Sequence, residues 1–319
     1  MLKTAICDLF GIEHPVIQGG MTYLGTAELV SAVSNAGGLG IIGTATYEPE
    51  WVRHQILLTR ERTSKPFGVN IVIGMPFVAQ VIEVVLEEKV PVVTTGGGNP
   101  GACMSRLKQA GIKVMPVIAS VATARRMEQA GAVAVVAEGM ESGGHIGETT
   151  TMALVPQVVD SVQIPVVAAG GIGDGRGLAA ALALGAQGVQ LGTRFVCSEE
   201  CIAHPAYKKK LLRANDRATV VTGESVKHSM RCLRNRLTEQ SLAMERAGAS
   251  REELDFFTRG KTYRGTIEGD IEDGRLFAGQ IAGLIKEIKP VKAIIDEMIA
   301  EAESVISGFK DFKGEVNHG

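Results

Sequence analysis

Short apolar runs punctuate the chain, and most end in glycine or a small polar residue. Eight stand out, at residues 15–18, 38–42, 68–73, 90–94, 113–118, 132–137, 165–169 and 188–191. A run of this length that is apolar throughout, without alternation, reads as a strand buried on both faces of a parallel sheet. Between the runs the period becomes helical, as at 27–35, 77–88, 123–130 and 177–184. Eight strand–helix units in about 200 residues predict an α/β fold, the (β/α)8 or TIM barrel, with its site on the loops at the strand C-termini. A doubly wound open sheet is the competing fold. It wants Gly-x-Gly-x-x-Gly after the first strand, and Gln18-Gly-Gly-Met21 does not supply it.

The rhythm stops at Cys197 and stays absent to about Asp273, where charged, irregular helical text replaces it. This reads as a helical cap inserted after the eighth strand. The expected division is a barrel over 1–196, the cap over 197–273, and a segment over 274–319 that returns to the barrel. That last segment brings Gly279 and Gln280 back to the mouth before an amphipathic helix at 291–306.

A content of 45% hydrophobic residues supports a sizeable core, and the 39 glycines cluster after the apolar runs, as tight strand-to-helix turns require. A net charge of −2, without a basic stripe carrying aromatics, argues against a nucleic-acid partner. Lys208-Lys209-Lys210 reads as a solvated helix face. Asp8 interrupts the N-terminal apolar stretch and no run is long enough to span a bilayer, so the expectation is a cytoplasmic protein with no membrane partner. The 5 cysteines are scattered and form no Cys-x-x-Cys pair, which predicts free thiols and no metal site.

The chemistry concentrates at 138–152, after the sixth run. There Gly139, Gly143, Gly144 and Gly147 surround a single histidine, His145, without bulky neighbours. A lone histidine in a turn ordinarily bonds to backbone. The glycines here, whose backbone can approach a flat ligand, and the position after a buried strand favour a ligand-facing role. Two further glycine clusters follow the seventh and eighth runs: Ala169-Gly-Gly-Ile-Gly-Asp-Gly-Arg-Gly177 and Leu191-Gly-Thr-Arg194. The first can turn its amides inward and open a helix whose N-terminus favours an anion, and Gly192 and Thr193 add amides and a hydroxyl. Other strand ends, at 18–21, 43–44, 70 and 94–100, are polar or glycine-rich, although Asn70 by itself reads as a local cap. Together they describe a wide mouth suited to a planar ring with a phosphate tail.

These stretches, with Ala36-Gly-Gly-Leu-Gly40, Lys65-Pro-Phe-Gly-Val-Asn70, Gly192-Thr-Arg-Phe195 and Ala278-Gly-Gln-Ile-Ala-Gly283, resemble the FMN-dependent nitronate monooxygenase-like superfamily. Within it they look most like the flavin-dependent enoyl-acyl carrier protein reductases. The likeness covers nearly the whole chain and is weakest at 239–269. It implies a barrel holding FMN at its mouth and a cap that helps bind substrate. It places Gly20, Met21, Asn70, Glu138, Gly144, Gly170, Gly171, Gly192, Thr193 and Gln280 near FMN and makes His145 the catalytic histidine. The implied reaction takes a hydride from NADH or NADPH to FMN and then to the β-carbon of a trans-2-enoyl thioester on acyl carrier protein. This is the last reductive step of fatty-acid elongation, performed by a homodimer. The alternatives are a nitronate monooxygenase using FMN and O2, and a flavin- or phosphate-binding barrel without turnover. His204, His228, Arg194 and Lys227 are candidates for the carrier's or the nicotinamide cofactor's phosphates, with surface or structural roles at least as good a reading.

Overall fold

The computed structural model describes residues 2–309. Eight parallel strands close into a barrel: β1 (Val16–Gln18), β2 (Leu39–Gly43), β3 (Phe67–Val72), β4 (Val92–Gly96), β5 (Lys113–Ile118), β6 (Val135–Glu138), β8 (Val166–Ala169) and β9 (Gly188–Leu191). The two-residue β7 (Gly144–His145) lies outside it. Each of the eight predicted runs is a barrel strand, its limits shifted by three residues or fewer. Their near-complete burial is why they carry no polar alternation.

Helices α2 (Ala27–Asn35), α3 (Pro49–Arg62), α4 (Val78–Glu87), α5 (Gly101–Gln109), α6 (Val121–Gln129), α7 (Thr151–Val159) and α8 (Gly175–Ala183) alternate with the strands. The Ser120 and Asp174 side chains start α6 and α8 by accepting from the amides of Thr123 and Gly177. A preceding helix, α1 (Ala5–Phe10), sends Ile6, Cys7 and Phe10 into one apolar cluster with Ile17, Ile41, Met115, Val136 and Val167 of the strands, so it plugs the barrel. A larger apolar layer joins the strands to the surrounding helices.

After β9 come a short α9 (Thr193–Val196) and α10 (Pro205–Leu212), then two antiparallel strands, β10 (Thr219–Thr222) and β11 (Met230–Leu233). Next are α11 (Arg236–Arg246), α12 (Arg251–Thr258) and α13 (Lys261–Thr266). A 3-10 turn, Gln280–Leu284, leads to α14 (Val291–Gly308), which packs on α8 and α2 and takes the place of the eighth barrel helix.

Three sequence expectations are corrected here. The cap is not purely helical: β11 pairs with β10 on one side and with β7 on the other, so the loop carrying His145 is a strand of the cap's own sheet. Lys208 is not on a solvated face. It is buried, and its ammonium donates to the carbonyls of Ser198 and Cys201 at 2.6 Å each. The N-terminus of α8 does not offer itself to a ligand. Asp174 and Glu301 accept from the amides of Gly177 and Gly175, and a Cβ on Gly175 would stand 2.4 Å from the Met298 carbonyl of α14. The five cysteines are all free and buried.

Candidate active site

The residues that the resemblance assigns to FMN, with His145, lie on strand ends and loops at the C-terminal side of the barrel or on the returning segment at 278–280, and several touch. Gly20 faces Asn70 so closely that a Cβ there would be 2.4 Å from the Asn70 Cβ. Only glycine lets the loop after β1 pass this side chain, and a larger residue would push the two loops apart. Asn70 is not a local cap: its amide donates to the Thr94 hydroxyl on β4 at 2.9 Å. Met21 reaches toward the loop after β9, its sulfur 3.7 Å from where a Gly192 Cβ would stand.

The opposite arc of the rim is built on the loop from Glu138 to Thr151. Glu141 receives the amide and hydroxyl of Thr151 at the start of α7, where the exposed helix amides favour a carboxylate. The Thr151 hydroxyl lies 2.9 Å from the Gly170 carbonyl and 3.2 Å from that of Ala169, tying this loop to the end of β8. The backbone of Gly279 and Gln280 closes the ring. Gln280 N–H donates to the Glu141 carbonyl at 2.9 Å, and Gly279 N–H donates to the Thr193 hydroxyl at 2.9 Å. A Cβ on Gly143 would stand 2.7 Å from the Ala278 carbonyl carbon, so the returning segment and the histidine loop meet backbone to backbone. The Gln280 side chain itself is exposed.

Glu138 ends β6, and burial pushes its carboxyl up to about 7, so near neutral pH it holds both protonation states. His145 stands exposed on the mouth side, with Nε2 3.2 Å from Nε2 of His228. The rings are 4.7 Å apart and tilted by 60°. Crowding by protein, then His228 and Arg275, hold the His145 imidazole below its ordinary pKa. Burial also lowers His228, so at neutral pH the two rings share an N–H···N bond and neither carries charge. Phe277 lies 6.5 Å from the His145 ring, with the Arg275 guanidinium 5.7 Å over it.

Several contributors escaped the sequence reading. Arg231 of β11 is buried and donates twice to the Met140 carbonyl, holding the histidine loop against the cap. Glu141 sits inside the motif that carried the resemblance, so it was visible but unassigned. For Arg231 no local signal existed, because a hairpin brings it to the rim from far along the chain; His228 was named only as a phosphate candidate, and the same hairpin places it against His145 instead. The other charged candidates have structural places. Arg194 is buried and donates to the Glu287 carbonyl, His204 caps α10, and Lys227 occupies a left-handed turn position with φ 54°. Among the described residues no helix is long and apolar enough to cross a membrane, and no cluster of metal-ligating side chains occurs.

Known proteins share this framework. The solved structure of FabK from Thermotoga maritima is 49% identical, covers 98% of this chain and 100% of its own, and superposes with a TM-score of 0.95. A Mycobacterium tuberculosis protein named (3aS,4S,5R,7aS)-5-hydroxy-7a-methyl-1-oxo-octahydro-1H-indene-4-carboxyl-CoA dehydrogenase is 36% identical over 94% of this chain and 96% of its own length. A probable nitronate monooxygenase of Staphylococcus saprophyticus is 32% identical over 96% of this chain and 99% of its own. The family model described as nitronate monooxygenase matches residues 3–80 and 72–301, and the chain belongs to that family of oxidoreductases.

Proposed function

We propose that this protein reduces trans-2-enoyl thioesters carried on acyl carrier protein, using FMN and NADH or NADPH. The observation that carries the reading is the likeness to FabK, at 49% identity over nearly the full length of both chains. The rim suits the cofactor. Gly144, Gly170 and Gly171 hold left-handed backbone at φ 85°, 86° and 70°, and nothing stands within 4 Å of a Cβ on Gly144. The backbone at Gly144 is open to a planar ring, while a Cβ on Gly170 would meet the Gly139 carbonyl at 2.7 Å, so that glycine lets the two loops close on one another. Thr193 accepts from Gly279, so its own hydrogen is free for a phosphate oxygen. Amides of Gly170, Gly171, Gly192 and Thr193 would hold the phosphate, while Asn70 and Glu138 would meet the ring edge or ribityl chain.

FMN, when bound, would accept hydride from the nicotinamide donor and pass it to the β-carbon of the enoyl thioester. The protein's share is to hold the substrate against the ring and manage charge at the thioester. As the β-carbon is reduced, negative charge grows on the thioester oxygen and the α-carbon becomes basic. A neutral imidazole at His145 donates a hydrogen bond to the one or a proton to the other. The family match and the Staphylococcus relative favour a second reading, oxidation of alkyl nitronates with FMN and O2. Anaerobic mixing separates the two. Protein reduced by NADH or NADPH and then given crotonyl thioester should recover its oxidised flavin spectrum without oxygen. Turnover with nitronate and air but not with the thioester would replace the reductase reading.

A further inference from the structure

His145 and His228 form a unit, with ring centroids 4.7 Å apart. His228 sits at the end of the β10–β11 turn, just before Met230, which pairs with His145 across β11 and β7. The same pairing sets the ring contact: one strand register fixes Nε2 of His228 3.2 Å from Nε2 of His145. A neutral imidazole has one N–H and one bare nitrogen, so a contact between two Nε2 atoms requires that only one of them carries hydrogen. His228 also lines a small crevice within the cap, open to solvent and with space for about one water, together with Thr222, Glu245, Asp255 and Arg275. The pair therefore runs between the mouth, where His145 is exposed, and a second region reached by water.

The geometry points to His228 as the positioning residue that selects the tautomer of His145 and resupplies its proton from the cap cavity. This rests on the enoyl-reductase reading. With His228 donating, His145 accepts at Nε2 and must carry its hydrogen on Nδ1, the ring nitrogen that His228 leaves free. When Nδ1–H gives its hydrogen to the α-carbon, His145 Nε2 takes the hydrogen of His228 Nε2–H, and His228 Nδ1 takes one from cavity water. One C–H bond forms and three N–H or O–H bonds exchange partners. The net transfer is one solvent proton to carbon, leaving hydroxide in the crevice; neither imidazole ends charged, and both end in the opposite tautomer, so exchange with solvent restores His145 Nδ1–H and His228 Nε2–H before the next turnover. The groups facing the pair suit a relay that stays neutral. Arg251 of α12 and Arg275 disfavour a lasting positive charge on either ring, while Asp255 of α12 opposes them and Glu245 of α11 lines the cavity with it. Proton supply from the cap side also matters sterically, because a flavin and a thioester together would cover His145 from the mouth.

Nitrogen-15 NMR of the histidine side chains in the FMN-loaded protein tests the positioning without reference to turnover. Wild type should show His145 as one Nδ1–H tautomer that titrates below free imidazole. In His228→Ala the tautomer should become mixed and the titration move up toward the ordinary value. In His228→Gln, which keeps an N–H donor, the tautomer should be retained. Stopped-flow measurement of the two half-reactions tests the relay. Flavin reduction serves as internal reference, and reoxidation by crotonyl thioester should slow roughly 10²-fold in both variants, the low end for loss of a proton-transfer group. Added imidazole should restore part of the rate in His228→Ala, where it has space, and none in His228→Gln. Unchanged His145 resonances in His228→Ala, or unchanged reoxidation in both variants, would overturn the proposal. If wild type is not reoxidised by the thioester, the reductase reading fails by itself and the NMR result still decides whether His228 positions His145.

Discussion

At the scale of single residues, the rim combines two groups shifted in opposite senses by the same cause. Crowding by protein around the ionising atoms disfavours charge, which raises the Glu138 carboxyl to about 7 and lowers the His145 imidazole. For Glu138 the linkage has a definite sign. The folded chain holds the carboxyl proton up to about 7 while the unfolded chain releases it near 4.5, so the stability it contributes is complete below 4.5 and lost as pH rises toward 7. The size is at most about 3 kcal/mol. Thermal melts of cofactor-free protein should therefore lose stability across that window more steeply in wild type than in Glu138→Gln, and parallel curves would show that Glu138 is not buried as an acid. His145→Ala should leave FMN bound, read from the visible spectrum, because none of the amides proposed to hold the phosphate is touched. It should slow enoyl reduction by about 10²- to 10⁴-fold. Full turnover in that variant would remove His145 from the chemistry. The sequence showed His145 because glycines isolate it locally. It named His228 but not its pairing with His145, because that contact joins residues 83 positions apart.

At the scale of elements, legibility followed how local each determinant is. The barrel strands declare themselves because a strand buried on both faces must be apolar along its whole length. The β10–β11 hairpin does not: Met230-Arg-Cys-Leu233 holds an arginine whose acceptor, the Met140 carbonyl, lies 91 residues upstream. The closed N-terminus of α8 was equally unreadable, since Glu301 reaches it across 126 residues. Lys208 misled for the same reason. In sequence it is one of three adjacent lysines, yet α10 turns it inward so that its ammonium satisfies two buried carbonyls of the segment after α9. Lys208→Met keeps the apolar stem and strands both carbonyls, at a cost of about 3 kcal/mol for lost charge-assisted bonds. Its melting temperature should fall by several degrees, whereas Lys209→Ala, at an exposed position, should stay within about 0.5 kcal/mol of wild type. Equal effects of the two substitutions would return Lys208 to the solvated face that the sequence suggested.

At the scale of the whole molecule, the cap is fastened to the barrel at opposite arcs of the rim by unequal means. On the β6 side it shares a sheet with the histidine loop, and Arg231 and the Gly143–Ala278 backbone contact reinforce that join. On the β1 and β2 side, aromatic rings make the contact. Tyr263 of α13 packs edge-on to Tyr23 at 5.3 Å, Tyr23 packs edge-on to Tyr47 at 5.7 Å, and Tyr47 stacks on Trp51 of α3. Three of the chain's 4 tyrosines and its single tryptophan thus gather at this one seam, in a protein poor in aromatics. Tyr23 also holds a left-handed φ of 66°, a conformation disfavoured for a bulky residue, and the rings on either side keep it there. An edge-to-face pair contributes about 0.5–1.5 kcal/mol, far less than a shared sheet. Removing it should loosen one end of the cap and leave the other in place. In Tyr263→Ala, hydrogen exchange should accelerate at the loop holding Tyr23 and in α13, while the amides of β7, β10 and β11 keep wild-type protection and global stability falls by no more than about 1.5 kcal/mol. Faster exchange spread equally over the hairpin would mean that the two fastenings open together and that the cap moves as one rigid piece.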